Sequence, residues 1–334
     1  MTDVRAIATQ FAGSATAVAP FGGGNINQTF LVQTGTADYI MQRINRAVFL
    51  DPEAVMANIV VVHRHLGGRL LPEPIPARDG QWLVYEGDDA WRAWRRVANA
   101  GPVSQTTPET VSSAAHLLGR FHAALADLDP STVAETLPRF HDPGRRLDAL
   151  RAAVGVDACG RVSTVSEEIA AALDAAPLAD LAADITARVP TRVAHNDAKL
   201  DNVLFRQGEA VCLVDLDTLM PGPWFWDVGD LLRTASTTAA EDEPHAERAV
   251  VDPELYRSVI DGYLAGVAAA ADTSEVEALE VAGAIVTYEQ ALRFLTDWIA
   301  GDVYYRTSRP RQNLDRARAQ LRLLASMPGT VTSP

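Results

Sequence analysis

Between Val193 and Asp217 the sequence gathers six side chains able to do chemistry: His195, Asp197, Lys199, Asn202, Asp215 and Asp217. Asn202 opens an apolar run, Val203-Leu204-Phe205. Gln207-Gly208-Glu209 follows as a turn, and Ala210 to Val214 forms a second apolar run. Two short apolar runs about a glycine turn read as a hairpin. Asn202 precedes Gly208 by six residues and Asp215 follows it by seven, so the hairpin sets them side by side at its open end. Asp197 and Lys199, in the loop just before, face the same point. Asp217, two residues beyond Asp215 on what reads as the same strand, points to the same face. An amide oxygen and carboxylates converging beside a base and an ammonium make a site for a metal ion and a phosphate.

The elements that must position this cluster change character along the chain. After a first short helix, residues 1–99 read as β-rich. Pro20 to Asn27 is a glycine-rich turn between two strands, and strands are expected at Gln28–Gln33, Tyr39–Ile44, Trp82–Tyr85 and Ala90–Val97. Glycines in such a turn let backbone amides approach phosphates. Asp51-Pro52-Glu53 starts a helix, with Asp51 as cap and apolar Val55, Ile59, Val62 and Leu66 at helical spacing. Pro72, Pro74 and Pro76 read as an extended linker, and Ala98–Pro108 as the boundary between two domains. From Glu109 onward the pattern is mostly helical. Helices are expected at 109–128, 166–173, 178–189, 253–271, 274–300 and 313–325, and Pro138–Pro143 as a loop. His116 and His122 read as ordinary helix residues, and Glu241-Asp242-Glu243 as a solvated loop.

Composition narrows the function classes. The 334 residues carry 29 Lys+Arg against 43 Asp+Glu, a formal charge of −14, which argues against nucleic-acid or anionic-membrane binding. The two cysteines, Cys159 and Cys212, lack metal-type spacing and read as buried free thiols. No apolar stretch approaches a membrane span or a signal segment, so a soluble cytoplasmic protein is expected.

The spacing His-x-Asp-x-Lys-x-x-Asn at His195, Asp197, Lys199 and Asn202 is that of the catalytic loop of eukaryotic-type kinases. Each residue then has a task. Asp197 orients the attacking hydroxyl and accepts its proton, and Lys199 neutralises the moving phosphoryl group. Asn202 and Asp215, joined by Asp217, hold Mg²⁺. With Gly24-Asn25-Ile26-Asn27-Gln28-Thr29-Phe30, Tyr39 to Asn45, Phe140-His141-Asp142, Phe225 to Asp230, Arg293 to Asp297 and Gly301 to Tyr304, the chain resembles the aminoglycoside phosphotransferase and choline kinase superfamily. Within it, the likeness is to the N-acetylhexosamine 1-kinases.

The resemblance implies an α+β, two-lobed, protein-kinase-like fold, with a small β-rich N-lobe (1–99) and a larger, mainly helical C-lobe (100–334). It implies ATP and Mg²⁺ between the lobes, and phosphorylation of a hexosamine at its anomeric hydroxyl. Nucleotide contacts fall to Gly23, Gly24, Asn27, Thr29, to Arg43 at the usual strand-lysine position, and to Arg96, Val97 and Asn99 of the hinge. Sugar contacts fall to Asn25, Asp197, Thr234, Arg293 and Tyr304, while Asp227 braces the catalytic loop. An ion pair to Glu289, one turn earlier, is the structural alternative for Arg293, and Glu53 the nearest acidic partner for Arg43. Two departures bear on the substrate. The sugar 1-kinases carry histidine where this chain has Asn25, and an aromatic residue where it has Thr234. Glucosamine, another hexose, an aminoglycoside or an amino alcohol therefore remain alternative acceptors. A catalytically silent nucleotide-binding protein and a metal hydrolase are further readings. The sequence leaves oligomeric state open.

Overall fold

The structure, a computed structural model, describes residues 3–22 and 26–329. Its first part runs α1 (Val4–Ala12), β1 (Ala15–Pro20), β2 (Gln28–Thr34), β3 (Asp38–Ile44), α2 (Pro52–His65), β4 (Pro74–Ile75), β5 (Val84–Glu86) and β6 (Asp89–Arg95). The strands form one antiparallel sheet in the order β1-β2-β3-β6-β4, with β5 also paired to β6. Side chains alternate between its faces. On the outer face Val32, Met41, Trp91 and Ala93 pack against Ile7, Ala8 and Phe11 of α1. On the inner face Ile44, Ala90 and Trp94 join Val55, Met56 and Ile59 of α2 in the main core. Asp51 caps α2, accepting from the Ala54 N–H, with Pro52 in the first turn.

The second part is mainly helical: α3 (Pro108–Leu125), α4 (Pro143–Val156), α5 (Ser166–Asp174), α6 (Pro177–Arg188), then β7 (Arg192–Ala194), β8 (Val203–Arg206), β9 (Glu209–Leu213), β10 (Met220–Gly222), followed by α7 (Phe225–Ala235), α8 (Pro253–Val267), α9 (Thr273–Ala300) and α10 (Gln312–Leu324). Helices α3 and α8 meet backbone to backbone. A Cβ at Gly119 would lie 2.5 Å from the Tyr263 carbonyl oxygen, and one at Gly266 2.3 Å from that of His116. The long α9 is the axis of the second core, its Ile285, Tyr288, Leu292 and Leu295 packing with Phe225 of α7 and Leu314 of α10. The molecule is thus α+β and two-lobed, as the resemblance implies. No helix among the described residues is long and apolar enough to cross a membrane.

Three elements differ from the sequence reading. The proline linker contains β4, which adds to the free edge of β6; prolines suit such an edge. Residues 143–156 form α4, capped by Asp142 with Pro143 in the first turn, the same signal as Asp51-Pro52. Its weakly amphipathic sequence, Pro-Gly-Arg-Arg onward, obscures the helical period. Residues 225–235 form α7, most of them buried, and a helix buried all round shows no apolar stripe.

Candidate active site

The central hairpin forms as the sequence indicates, with Val203 opposite Leu213 and the Val214 N–H donating to the Asn202 carbonyl at 2.9 Å. A second ribbon, β7 with β10, pairs Ala194 with Met220 and delivers the loop that begins at His195. Asn196 turns that loop at φ 63°, a left-handed conformation that asparagine tolerates. Its Nδ2 donates to the carbonyls of Thr218 (3.1 Å) and Met220 (3.3 Å). Only glycine fits opposite, since a Cβ at Gly222 would lie 2.7 Å from Asn196 Oδ1.

Asp227 holds this loop from below. Its carboxylate accepts from the backbone N–H groups of His195 (2.8 Å) and Asn196 (2.5 Å) and lies 2.9 Å from His122 Nε2. His122 Nδ1 is in turn 2.9 Å from the Tyr263 hydroxyl, and its ring stacks on Trp224 with centroids 4.6 Å apart. His122, which reads from sequence as an ordinary helix residue, is therefore fully buried within the brace. Burial pushes its pKa down despite Asp227, so the ring is neutral, with Nδ1 accepting from Tyr263. His195 is likewise fixed: Nε2 faces the Val214 carbonyl at 3.0 Å while Nδ1 accepts from the Asp197 N–H at 3.3 Å.

Asp197 and Lys199 emerge from this scaffold as an ion pair, 2.9 Å apart and both partly open. Burial disfavours the Asp197 carboxylate, but Lys199 outweighs it and holds the carboxyl below its ordinary range. Burial opposes the ammonium too, and Asp197 with Asp215 and Asp230 holds it above its ordinary value. Asn202 Nδ2 donates to Asp197 Oδ2 at 2.8 Å and to its carbonyl at 2.7 Å, so the amide oxygen of Asn202 is left for another partner. Sequence reasoning did not single out Asp230. It sits close enough for its charge to act on Asp197 and Lys199, and is anchored by Arg233 at 2.8 Å. The acidic loop is also not simply solvated: Glu241 pairs with the buried Arg233 at 2.8 Å, and Asp242 with Arg309.

Asp215 and Asp217 do not share a strand face. The chain reverses at Asp215, which is left-handed at φ 63°, ψ 59°, and Asp217 lies in a one-turn helix at Leu216–Thr218. Asp215 opens into the cleft. Partial burial first, then the charges of Asp217 and Asp197, push its carboxyl up to about 6. Asp217 is enclosed, with Oδ1 held by Arg92 and Oδ2 accepting from Asn27 Nδ2 at 2.6 Å. Among the described residues no three His, Cys, Asp or Glu side chains form a metal cluster. The free oxygens of Asn202 and Asp215 are nevertheless hard donors carrying excess negative charge. They fit Mg²⁺, which takes one or two protein oxygens and completes its shell with water and phosphate.

The strand positions also need correction. Gln42 and Arg43 are neighbours on β3 and point to opposite faces. Gln42 faces inward, its Oε1 accepting from Arg92 Nε (3.0 Å) and Trp94 Nε1 (2.9 Å). Arg43 shares the outer face with Met41 and pairs with Asp89 at 3.0 Å, not with Glu53, which accepts from the Tyr85 hydroxyl. The cation on the inner face, paired across the strands with Gln42 and wholly buried, is Arg92, which sequence reasoning missed. Thr29 meets Gln42 Nε2 at 3.3 Å, and Asn27 Oδ1 accepts from the Asn45 N–H. Arg96 pairs with Asp38 at 2.8 Å, Val97 is half-buried, and Asn99 turns at φ 54°. Gly23, Gly24 and Asn25 lie outside the described residues.

At the acceptor end, Thr234 has no free hydroxyl to offer. It accepts from the Leu200 N–H at 2.9 Å and donates to the Asp230 carbonyl. The Arg293–Glu289 ion pair does not form. Glu289 is taken by His141 Nδ1 (2.9 Å), by the Asp142 N–H (2.9 Å) and, at 3.6 Å, by Arg146. His141 Nε2 faces the Asn196 carbonyl at 2.9 Å. With acceptors on both nitrogens, His141 must donate from both and is an imidazolium. Burial opposes that charge, but Glu289 outweighs it and raises the pKa. Arg293 makes no hydrogen bond or ion pair among the described residues. Its guanidinium lies 5.7 Å from the Phe140 ring centroid and 5.5 Å from that of Tyr305, within reach of the Asp197 charge. Tyr304 is exposed on a loop that Asp297 pins by accepting from the N–H groups of residues 303–305. Of the two thiols, Cys212 is buried and Cys159 exposed.

The fold recurs in solved structures. An aminoglycoside phosphotransferase from Alicyclobacillus acidocaldarius is 18% identical, with a TM-score of 0.65 over 98% of this chain and 95% of that one. An amicoumacin kinase in complex with AMP-PNP, Ca²⁺ and Ami is 14% identical (TM-score 0.65; 99% and 96% covered). The choline kinase LicA from Streptococcus pneumoniae is 13% identical (TM-score 0.59; 93% and 94% covered). The pattern of the phosphotransferase enzyme family matches residues 17–271, which span the sheet, the catalytic loop and the Asp227 brace; the chain belongs to that family.

Proposed function

We propose that the protein is an ATP-dependent kinase of a small hydroxyl compound, and that its acceptor is an N-acetylhexosamine or a closely related hexose. In this reading Asp197 accepts a hydrogen bond from the acceptor hydroxyl and takes its proton as the hydroxyl oxygen bonds to the γ-phosphorus of ATP and the bond to the bridging oxygen breaks, releasing ADP. Lys199, held beside Asp197, faces the charge that develops on the transferring group. Asn202 and Asp215 would hold Mg²⁺, which when bound would supply positive charge to the nucleotide phosphates. Residues 1–99 grip the nucleotide and the remainder binds the acceptor.

The observation that carries the acceptor class is the unpaired guanidinium of Arg293. Around it stand two more cations, Arg146 and the imidazolium of His141, while the carboxylates whose charge reaches it are already engaged, Glu289 by both of those cations and Asp197 by Lys199. Such a pocket repels an ammonium and suits a neutral acceptor rich in oxygen, so it favours a sugar over an aminoglycoside or an amino alcohol. The resemblance to the sugar 1-kinases supports the anomeric hydroxyl as the point of attack.

An ATP-consumption screen over hexoses, N-acetylhexosamines, aminoglycosides and amino alcohols, with phosphorus NMR of the product, tests this. The expected result is an anomeric phosphate on an N-acetylated or neutral hexose. Turnover confined to amines, or a phosphate elsewhere on the ring, overturns it.

A further inference from the structure

We propose that Arg92 is the phosphate-binding cation of the nucleotide site, fixing Asp217 through Nη1 and offering Nη2 to a phosphate oxygen. The inference rests on the nucleotide reading above, not on the identity of the acceptor.

Arg92 projects from the inner face of β6 and is wholly buried. Its Nε donates to Gln42 Oε1 at 3.0 Å and its Nη1 to Asp217 Oδ1. Nη2 is buried and has no acceptor. An unmet guanidinium N–H in such a place is costly. The neighbours cannot supply the missing partner. Gln42 Oε1 already takes a second donor from Trp94 Nε1 at 2.9 Å, and Asp217 Oδ2 is occupied by Asn27 Nδ2 at 2.6 Å. The indole of Trp94 lies beneath the guanidinium, 5.1 Å from its centroid, and limits where it can move.

The spare donor also lies where phosphates would be. Asp217 is two residues from Asp215, and the Arg92 charge acts on the Asp215 carboxyl. Nη2 itself has no accessible surface, so an acceptor-only, anionic group at the metal end of the cleft would meet it once a covering side chain gives way. The planar guanidinium can then hold Asp217 with one nitrogen and a phosphate oxygen with the other. Arg43 cannot do this from the outer face of the sheet.

The test is nucleotide binding by calorimetry in EDTA, with no acceptor present, comparing ATP, ADP and adenosine. EDTA removes any contribution of a metal ion, and the carboxylates that remain are the same in wild type and the Arg92→Lys variant, so the comparison isolates the protein cation. Arg92→Lys keeps the charge but loses the fork. A charge-assisted hydrogen bond is worth roughly 10- to 100-fold in affinity, so ATP and ADP should weaken by about that much while adenosine changes less than about twofold. If the lysine variant does not fold, Arg92→Gln combined with Asp217→Asn removes both charges of the pair, and the same ATP-to-adenosine ratio is read. Equal weakening of all three ligands makes Arg92 structural and overturns the proposal, as does unchanged ATP binding in a folded variant. Failure of the sugar reading would leave this measurement untouched.

Discussion

The catalytic-loop brace and the acceptor pocket sit on either side of Asn196, and their hydrogen bonding is opposite in kind. In the brace, Asp227 gathers His195, Asn196 and His122, Tyr263 completes His122, and the Asn196 side chain is met by backbone carbonyls. In the pocket, Arg293 has no polar partner among the described residues, and the Tyr305 hydroxyl and Arg146 Nε are buried without a hydrogen bond. Buried polar groups are ordinarily satisfied. The brace is therefore complete in itself, whereas the proposed acceptor pocket is left with unmet donors. Preorganised charge beside a nucleophile costs no rearrangement during reaction. Unmet donors, by contrast, give an arriving oxygen-rich molecule something that water supplies only in part.

The comparison can be broken first at Asp197. Asp197→Asn should cut kcat by about 10²- to 10⁴-fold, the range for loss of a positioned proton acceptor. Since Asp197 hangs from the brace without supporting it, the melting temperature should move little. Near-normal turnover would remove Asp197 from the chemistry, and a large loss of stability would mean that brace and chemistry are one unit.

Arg293→Ala should have the next largest effect, raising the acceptor KM by about 10- to 100-fold, as expected when a buried hydrogen bond to a charged group is lost. The ATP KM should stay within about twofold. Steady-state kinetics with each substrate varied decides the matter, and an equal rise in both constants makes Arg293 a packing residue.

The smallest effect tests the link between the two regions, His141, which joins Glu289 of the pocket to the Asn196 carbonyl of the loop. Its folded pKa lies above the unfolded value. Its contribution is thus fully present below about pH 6.5 and is lost as pH rises through the raised folded value. Glu289 is held down, because His141 and Arg293 outweigh its burial. Its contribution is present above about pH 4.3 and is lost as pH falls through the depressed folded value. His141→Gln should therefore lower the melting temperature by the amount that about 1–3 kcal/mol produces near pH 6, and by less toward pH 9. A gap that stays constant over that range would show that His141 is not an imidazolium.

Much of this arrangement is written locally. The hairpin joining Asn202 to Asp215 follows from two apolar runs about Gly208, and the kinase spacing of His195, Asp197, Lys199 and Asn202 lies within one loop. Two misreadings share a cause. Asp217 lies two residues beyond Asp215, but the left-handed turn at Asp215 breaks the alternation that would put both on one face. Arg43 is one residue from Gln42, and a single step along a strand changes the face on which a side chain lies. The signal for α4 was present in Asp142-Pro143. That for α7 was not, because burial on every side erases periodicity.

By itself, then, the sequence determined the change from strands to helices along the chain and the hairpin that brings Asn202 beside Asp215, since each depends on residues near one another, while the two-lobed plan came with the family resemblance. Tertiary structure alone decided that Arg92, and not Arg43, lies on the inner face of the sheet and holds Asp217. It likewise decided that Asp227 and His122 carry the loop, and that Glu289 turns to His141 and leaves Arg293 unpaired. These partners are separated by 105 to 148 residues, and which of several acceptors a buried cation meets is set by packing, not by spacing.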